Sequence, residues 1–161
     1  MKKGHPKSTA AINGHPIHPM IVPFPIVFFI SAFATDVISV VGDDPGIARA
    51  SVWLISAGLV GAALAAAAGL IDFAGDARIR ALRDAWHHLF ANVAVVLIEV
   101  VNLLFRLFSA DAGVPPFGAI LSGAVVLLLL FSGWKGGASW FSGAMSVNST
   151  IIVRRRADRG G

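Results

Sequence analysis

Four long apolar stretches dominate this chain, at about Met20 to Val41, Ser51 to Phe73, Ala85 to Phe108 and Phe117 to Trp134. Each is close to the roughly 20 residues that a helix needs to cross a bilayer core. The separators are short and turn-forming: Gly42-Asp43-Asp44-Pro45-Gly46, the charged stretch from Gly75 to Asp84, and Asp111 to Pro116. Loops this short make successive helices antiparallel. The expectation is an all-α polytopic membrane protein, a four-transmembrane-helix up-down bundle. Its parts are a basic N-terminal segment (residues 1–19), a membrane domain (residues 20–134) and a basic C-terminal segment (residues 135–161).

Composition agrees with that reading. Hydrophobic residues make up 56% of the chain and charged residues 14%, where soluble domains carry about 25% charged. With no cysteine, disulfides, thiolate metal sites and Cys nucleophiles are excluded together. Ala32-Phe33-Ala34 imitates a signal-peptidase site, but such a leader would be overlong and would hold Pro23 and Pro25 in its apolar region. The first stretch is therefore read as a retained span. Alternating helices put Lys2, Lys3, Lys7, Arg78, Arg80, Arg83, Lys135, Arg154, Arg155, Arg156 and Arg159 on one side, and only Arg49 and Arg106 on the other. The positive-inside rule then makes both termini cytoplasmic in a plasma (inner) membrane. The arginine run is short and sits beside the membrane, so it marks an anionic lipid surface and not a nucleic-acid partner. Within the C-terminal segment, Trp140 and Phe141 suit an interfacial anchor.

Polar residues inside spans are costly, and their placement carries the functional signal. In the third span, Asn92, Glu99, Asn102 and Arg106 all fall within about 40° of His88 around the helix. The stripe extends about 27 Å from His88 to Arg106 and must face the bundle interior. It reads either as interhelical hydrogen bonding or as a proton or ion path with Glu99 as its titratable centre. Asp36 lies at about the depth of Arg106, which suggests a structural ion pair. In the second span, Gly58, Ala62, Ala65 and Gly69 form a small-residue face that lets a neighbour approach closely and leads to Asp72.

Four of the five histidines, His15, His18, His87 and His88, gather with Asp72 at one end of the bundle. Proline after His15 and after His18 disfavours the α region at both and stiffens the segment. Neutral imidazole is the commonest metal ligand and an axial ligand of haem b. One reading clamps haem between His88 and His18 or His15, with His87 a weaker candidate. A second binds a non-haem ion through His15, His18, His88 and Asp72, and a third leaves the cluster structural.

His15-Pro16-Ile17-His18-Pro19-Met20, followed by Pro23-Phe24-Pro25-Ile26, resembles the opening of the bacterial membrane family known as domain of unknown function 2231. The likeness continues through Gly69-Leu70-Ile71-Asp72, His88 with Asn92 and Asn102, and Ser132-Gly133-Trp134-Lys135-Gly136-Gly137, covering about residues 14 to 147. The resemblance implies a four-helix inner-membrane protein and brings no activity with it. Relatives beside or fused to sugar-dehydrogenase or cytochrome-like modules imply a redox context.

No recurring motif of a hydrolase or nucleotide-binding enzyme occurs, so an autonomous enzyme is not expected. Three functions fit: a redox subunit that holds haem b and exchanges electrons with a dehydrogenase, cytochrome or quinone; a non-catalytic anchor or assembly subunit, with oligomerisation open; and a conductor of protons or metal ions along the stripe. The ion pair is directly testable. Reversing the charge at Asp36 or at Arg106 alone should abolish folding, and reversing both should restore it. A double variant that folds no better than either single one, by detergent-solubilised yield and circular dichroism, disproves the pairing.

Overall fold

The computed structural model describes residues 9–13, 15–42, 44–81, 83–108 and 116–134. Lys2, Lys3, Lys7, Lys135, Arg154, Arg155, Arg156 and Arg159, and with them the expected C-terminal anchor at residues 135–161, lie outside the described residues. The chain opens with a short antiparallel pair, β1 (Ala11–Ile12) and β2 (His15–Pro16), turning through Asn13 at φ 50°. Asn is among the few residues that tolerate this left-handed conformation. Six helices follow: α1 (Ile17–Ile21), α2 (Pro23–Gly42), α3 (Pro45–Gly75), α4 (Ala77–Arg80), α5 (Arg83–Phe108) and α6 (Pro116–Trp134).

Among the described residues, four helical stretches are long and apolar enough to cross a membrane: Ile17–Gly42, Pro45–Gly75, Arg83–Phe108 and Pro116–Trp134. The first begins before Met20 because α1 takes in His18 and Pro19. His15 is extended, as a residue before proline prefers, but His18 is helical. Two features outweigh its proline penalty. Pro19 lies in the first helical turn, where its missing N–H costs nothing, and Ile17 N donates to Ala10 O at 2.9 Å to fix the start. At the opposite end, Asp44 caps α3 by accepting from Gly46 N at 2.8 Å and Ile47 N at 3.3 Å, with Pro45 in the first helical position.

The bundle buries several polar side chains and leaves many large apolar ones facing outward. Asp36, Ser51, Glu99, Asn102 and Ser122 are fully buried, whereas Trp53, Phe90, Leu127 and Trp134 are 62–74% exposed. A soluble protein would reverse this pattern; lipid demands it, because a bilayer offers apolar contacts and no hydrogen bonds. At mid-depth, Phe29, Val95 and Val125 form a dry layer backed by Leu59, Ala62 and Ile98. The small face of α3 admits α2: a Cβ at Gly58 would overlap the Phe29 ring, and one at Gly61 would lie 3.2 Å from Pro25 Cδ.

These contacts give a graded prediction. Gly58→Ala should lower unfolding free energy by about 1–3 kcal/mol, because Phe29 must leave its packed position. Gly133→Ala, with nothing within 4 Å of the new methyl, should be neutral or slightly stabilising. Denaturant titration of the detergent-solubilised protein checks both.

Candidate functional site

The stripe on α5 follows from spacing: His88, Asn92, Val95, Glu99, Asn102 and Arg106 recur every three or four residues and share one face. The bundle divides that face into two polar centres. Val95 belongs to the apolar layer with Phe29 and Val125, so Asn92 and Glu99 stand on opposite sides of it. Val95 thus separates the polar residues of the stripe into two groups.

On one side lies a buried hydrogen-bond network. Arg106 and Asp36 form a bidentate ion pair, Nη1 to Oδ1 at 2.7 Å and Nη2 to Oδ2 at 2.6 Å. Arg106 also donates from Nη1 to Ser51 Oγ at 2.9 Å, from Nη2 to Ser122 Oγ at 3.2 Å and from Nε to Asn102 Oδ1 at 2.9 Å. All five guanidinium N–H groups are thus used. Ser51 Oγ donates to Asp36 Oδ1, while Asn102 Nδ2 donates to Glu99 Oε2 at 3.1 Å and to Ser122 Oγ at 2.9 Å. A Cβ at Gly118 would lie 3.3 Å from both Arg106 Nη2 and Asn102 Oδ1, so glycine is what allows α6 this close to the network. Sequence reasoning missed Ser51 and Ser122. Their signal was depth: each lies near one end of its span, level with Asp36 and Arg106.

On the other side, α1, α3 and α5 bring two histidines together. The His18 and His88 rings face edge to face-plane, with centroids 6.2 Å apart and planes at 87°. His18 Nδ1 lies 2.7 Å from Ala65 O. A carbonyl only accepts, so Nδ1 carries the proton and the lone pair of a neutral ring sits on Nε2. His88 Nδ1 bonds Ser132 Oγ of α6 at 3.2 Å. Among the described residues, neither Nε2 has a hydrogen-bond partner. Gly69 makes the His18 position available, since a Cβ there would stand 2.8 Å from His18 Nδ1.

Both rings border a cavity of about 400 Å³ whose walls are almost wholly apolar, among them Val22, Pro25, Ile26, Phe29, Val93 and Leu129. Asn92 also lines it, donating from Nδ2 to His88 O at 2.7 Å. This size lies within the range of about 300–1,000 Å³ typical of small-molecule and cofactor pockets.

Of the remaining candidates, Asp72 also lines the cavity, whereas His15 and His87 do not. His15 is exposed in β2, and His87 is exposed 4.0 Å from Asp84. Asp72 Oδ1 accepts from Thr9 N and Ala10 N, both at 2.7 Å, and so ties down the segment that leads into α1. Among the described residues, no three His, Asp or Glu side chains converge where they could hold a metal ion. Of His15, His18, His88 and Asp72, the structure brings the last three to one cavity and leaves His15 exposed in β2.

A family model described as a predicted membrane protein, DUF2231, matches residues 14–149, which span the HPxHP segment, both polar centres and all four spans. The chain belongs to the DUF2231 family. No curated protein and no solved structure matches it. For this DUF2231 protein, the geometry at Gly69 yields a test. Gly69→Ala should displace the His18 ring and break its bond to Ala65 O. The imidazole ¹⁵N signals of His18 should then lose the Nδ1–H pattern, with those of His87 unchanged.

Proposed function

We propose that this DUF2231 protein is a small membrane redox subunit that binds haem b, which His18 and His88 would hold. The observation that carries the reading is the pair of imidazoles on separate spans, each tethered through Nδ1 with Nε2 unpartnered, beside an apolar cavity. A hydrogen bond from the second ring nitrogen to a carbonyl or hydroxyl is the usual way a protein fixes a ligating histidine.

The donor set also separates the two cofactor readings. Two histidines are too few to hold a bare first-row ion firmly, but they would suffice for a metal already held by a macrocycle. When bound, haem b supplies one-electron chemistry. The chain's own residues do the rest: Ala65 O and Ser132 orient the rings, Gly69 leaves room for His18, and the apolar walls exclude water. The excess of basic residues at the histidine end supports a cytoplasmic position for this site in an inner membrane. Electron exchange with a quinone, dehydrogenase or cytochrome suits such a subunit. Conduction along α5 is the less favoured reading because the Phe29–Val95–Val125 layer lies across the stripe.

Absorption spectra of the detergent-purified protein from haem-sufficient cells, oxidised and dithionite-reduced, test the proposal. Wild type should show a Soret band with sharp reduced α and β bands. His18→Ala and His88→Ala should each lose them, while His15→Ala and His87→Ala keep them. A colourless wild-type protein overturns the haem reading and leaves the anchor or assembly role as the working function.

A further inference from the structure

Glu99 is the one buried ionisable side chain among the described residues that neither the ion pair nor the histidine cavity uses. It is fully buried midway along α5, a helix long and apolar enough to cross a membrane, and its Oε1 has no hydrogen-bond partner. Of the groups around it, Asn102 and Arg106 have no donor left to give. Both N–H groups of Asn102 Nδ2 are committed, one to Glu99 Oε2 and one to Ser122 Oγ, and Asn102 Oδ1 is taken by Arg106 Nε. The other four N–H groups of Arg106 go to Asp36, Ser51 and Ser122.

The titratable and charged groups of this network are Asp36 on α2 and Arg106 on α5 itself; α3 and α6 contribute Ser51 and Ser122, which do not titrate. Asp36 and Arg106 cancel in a bidentate pair. An ionised Glu99 would then be a net negative charge in a water-free interior, held by a single amide hydrogen bond. Such a charge is costly unless it is neutralised.

We propose that Glu99 is a proton-binding site in the interior of the bundle, its side chain a neutral carboxylic acid in the resting protein. The proton is the ligand the surroundings fit. A metal ion would need further oxygen or nitrogen ligands, and among the described residues no group of three acidic or histidine side chains provides them. It would also have to sit close to the Arg106 guanidinium, whose charge repels it. The site is separate from the haem reading, because the Phe29–Val95–Val125 layer lies between Glu99 and the cavity.

Infrared spectroscopy of the full-length purified protein tests this, with Glu99→Gln as the partner sample. Gln matches the neutral acid in shape and charge, so the variant should fold and melt like wild type. Wild type at neutral pH should show the C=O stretch of a protonated carboxyl, and Glu99→Gln should lose that band completely. No such band in wild type, or an undiminished band in Glu99→Gln, overturns the proposal. So does a Glu99→Gln variant that fails to fold while Glu99→Asp folds, since the negative charge would then be what the bundle needs.

Discussion

A guanidinium inside a bilayer has no solvent, and Arg106 answers that constraint by spending all five of its N–H groups on the protein. Its partners come from every span: Asp36 on α2, Ser51 on α3, Asn102 on α5 and Ser122 on α6. Each bond requires its helix to hold one rotation and one depth. A helix that slips by one residue turns by about 100° and carries its polar group away from the guanidinium. Ion pairs of this kind give little net stability compared with a well-packed apolar core, but they make mispacked arrangements expensive, because a stranded buried charge costs about 3–5 kcal/mol. The network therefore acts chiefly as a register lock.

That lock sits about 27 Å along α5 from the histidines, and helices transmit its setting. Between the two ends, glycine decides how closely the rods approach. Gly58 receives the Phe29 ring, Gly69 receives His18, and Gly118 brings α6 against Arg106 and Asn102. Phe29, Val95 and Val125 close the middle with a dry layer. The outcome is two polar centres in one small bundle: a hydrogen-bond network around Arg106 at one end, and at the other two imidazoles whose Nε2 atoms have no hydrogen-bond partner among the described residues.

Much of this was legible in the sequence, for reasons that differ from residue to residue. The spans were readable because the length of an apolar run is a direct consequence of bilayer thickness. Asp36 and Arg106 could be matched because the first and third spans of an alternating bundle run parallel and bring their far ends to the same depth. The α5 stripe was readable from helical periodicity, yet its interruption was not. Val95 lies on the same face as its polar neighbours, and only the ring of Phe29 from α2 and Val125 from α6 makes it a barrier. Ser51 and Ser122 escaped because a serine in a span usually bonds its own helix and carries no distinctive spacing.

At the histidine end, the sequence could gather candidates but not choose among them. His15 and His18 share a motif and His87 and His88 are adjacent, so spacing treats each pair alike. A Gly at 69 and a carbonyl at 65, both on α3, select His18; Ser132 on α6 engages His88. Asp72, a ligand candidate by depth, lines the cavity and also accepts from Thr9 N and Ala10 N. The sequence by itself determined the membrane class, the span count and which residues face inward, since those follow from solvent and helical period, properties local to each segment. Which inward-facing groups meet, and which are left with a free lone pair or an unpartnered oxygen, was decided only by the tertiary structure, because a hydrogen bond between spans depends on distances that no single segment encodes.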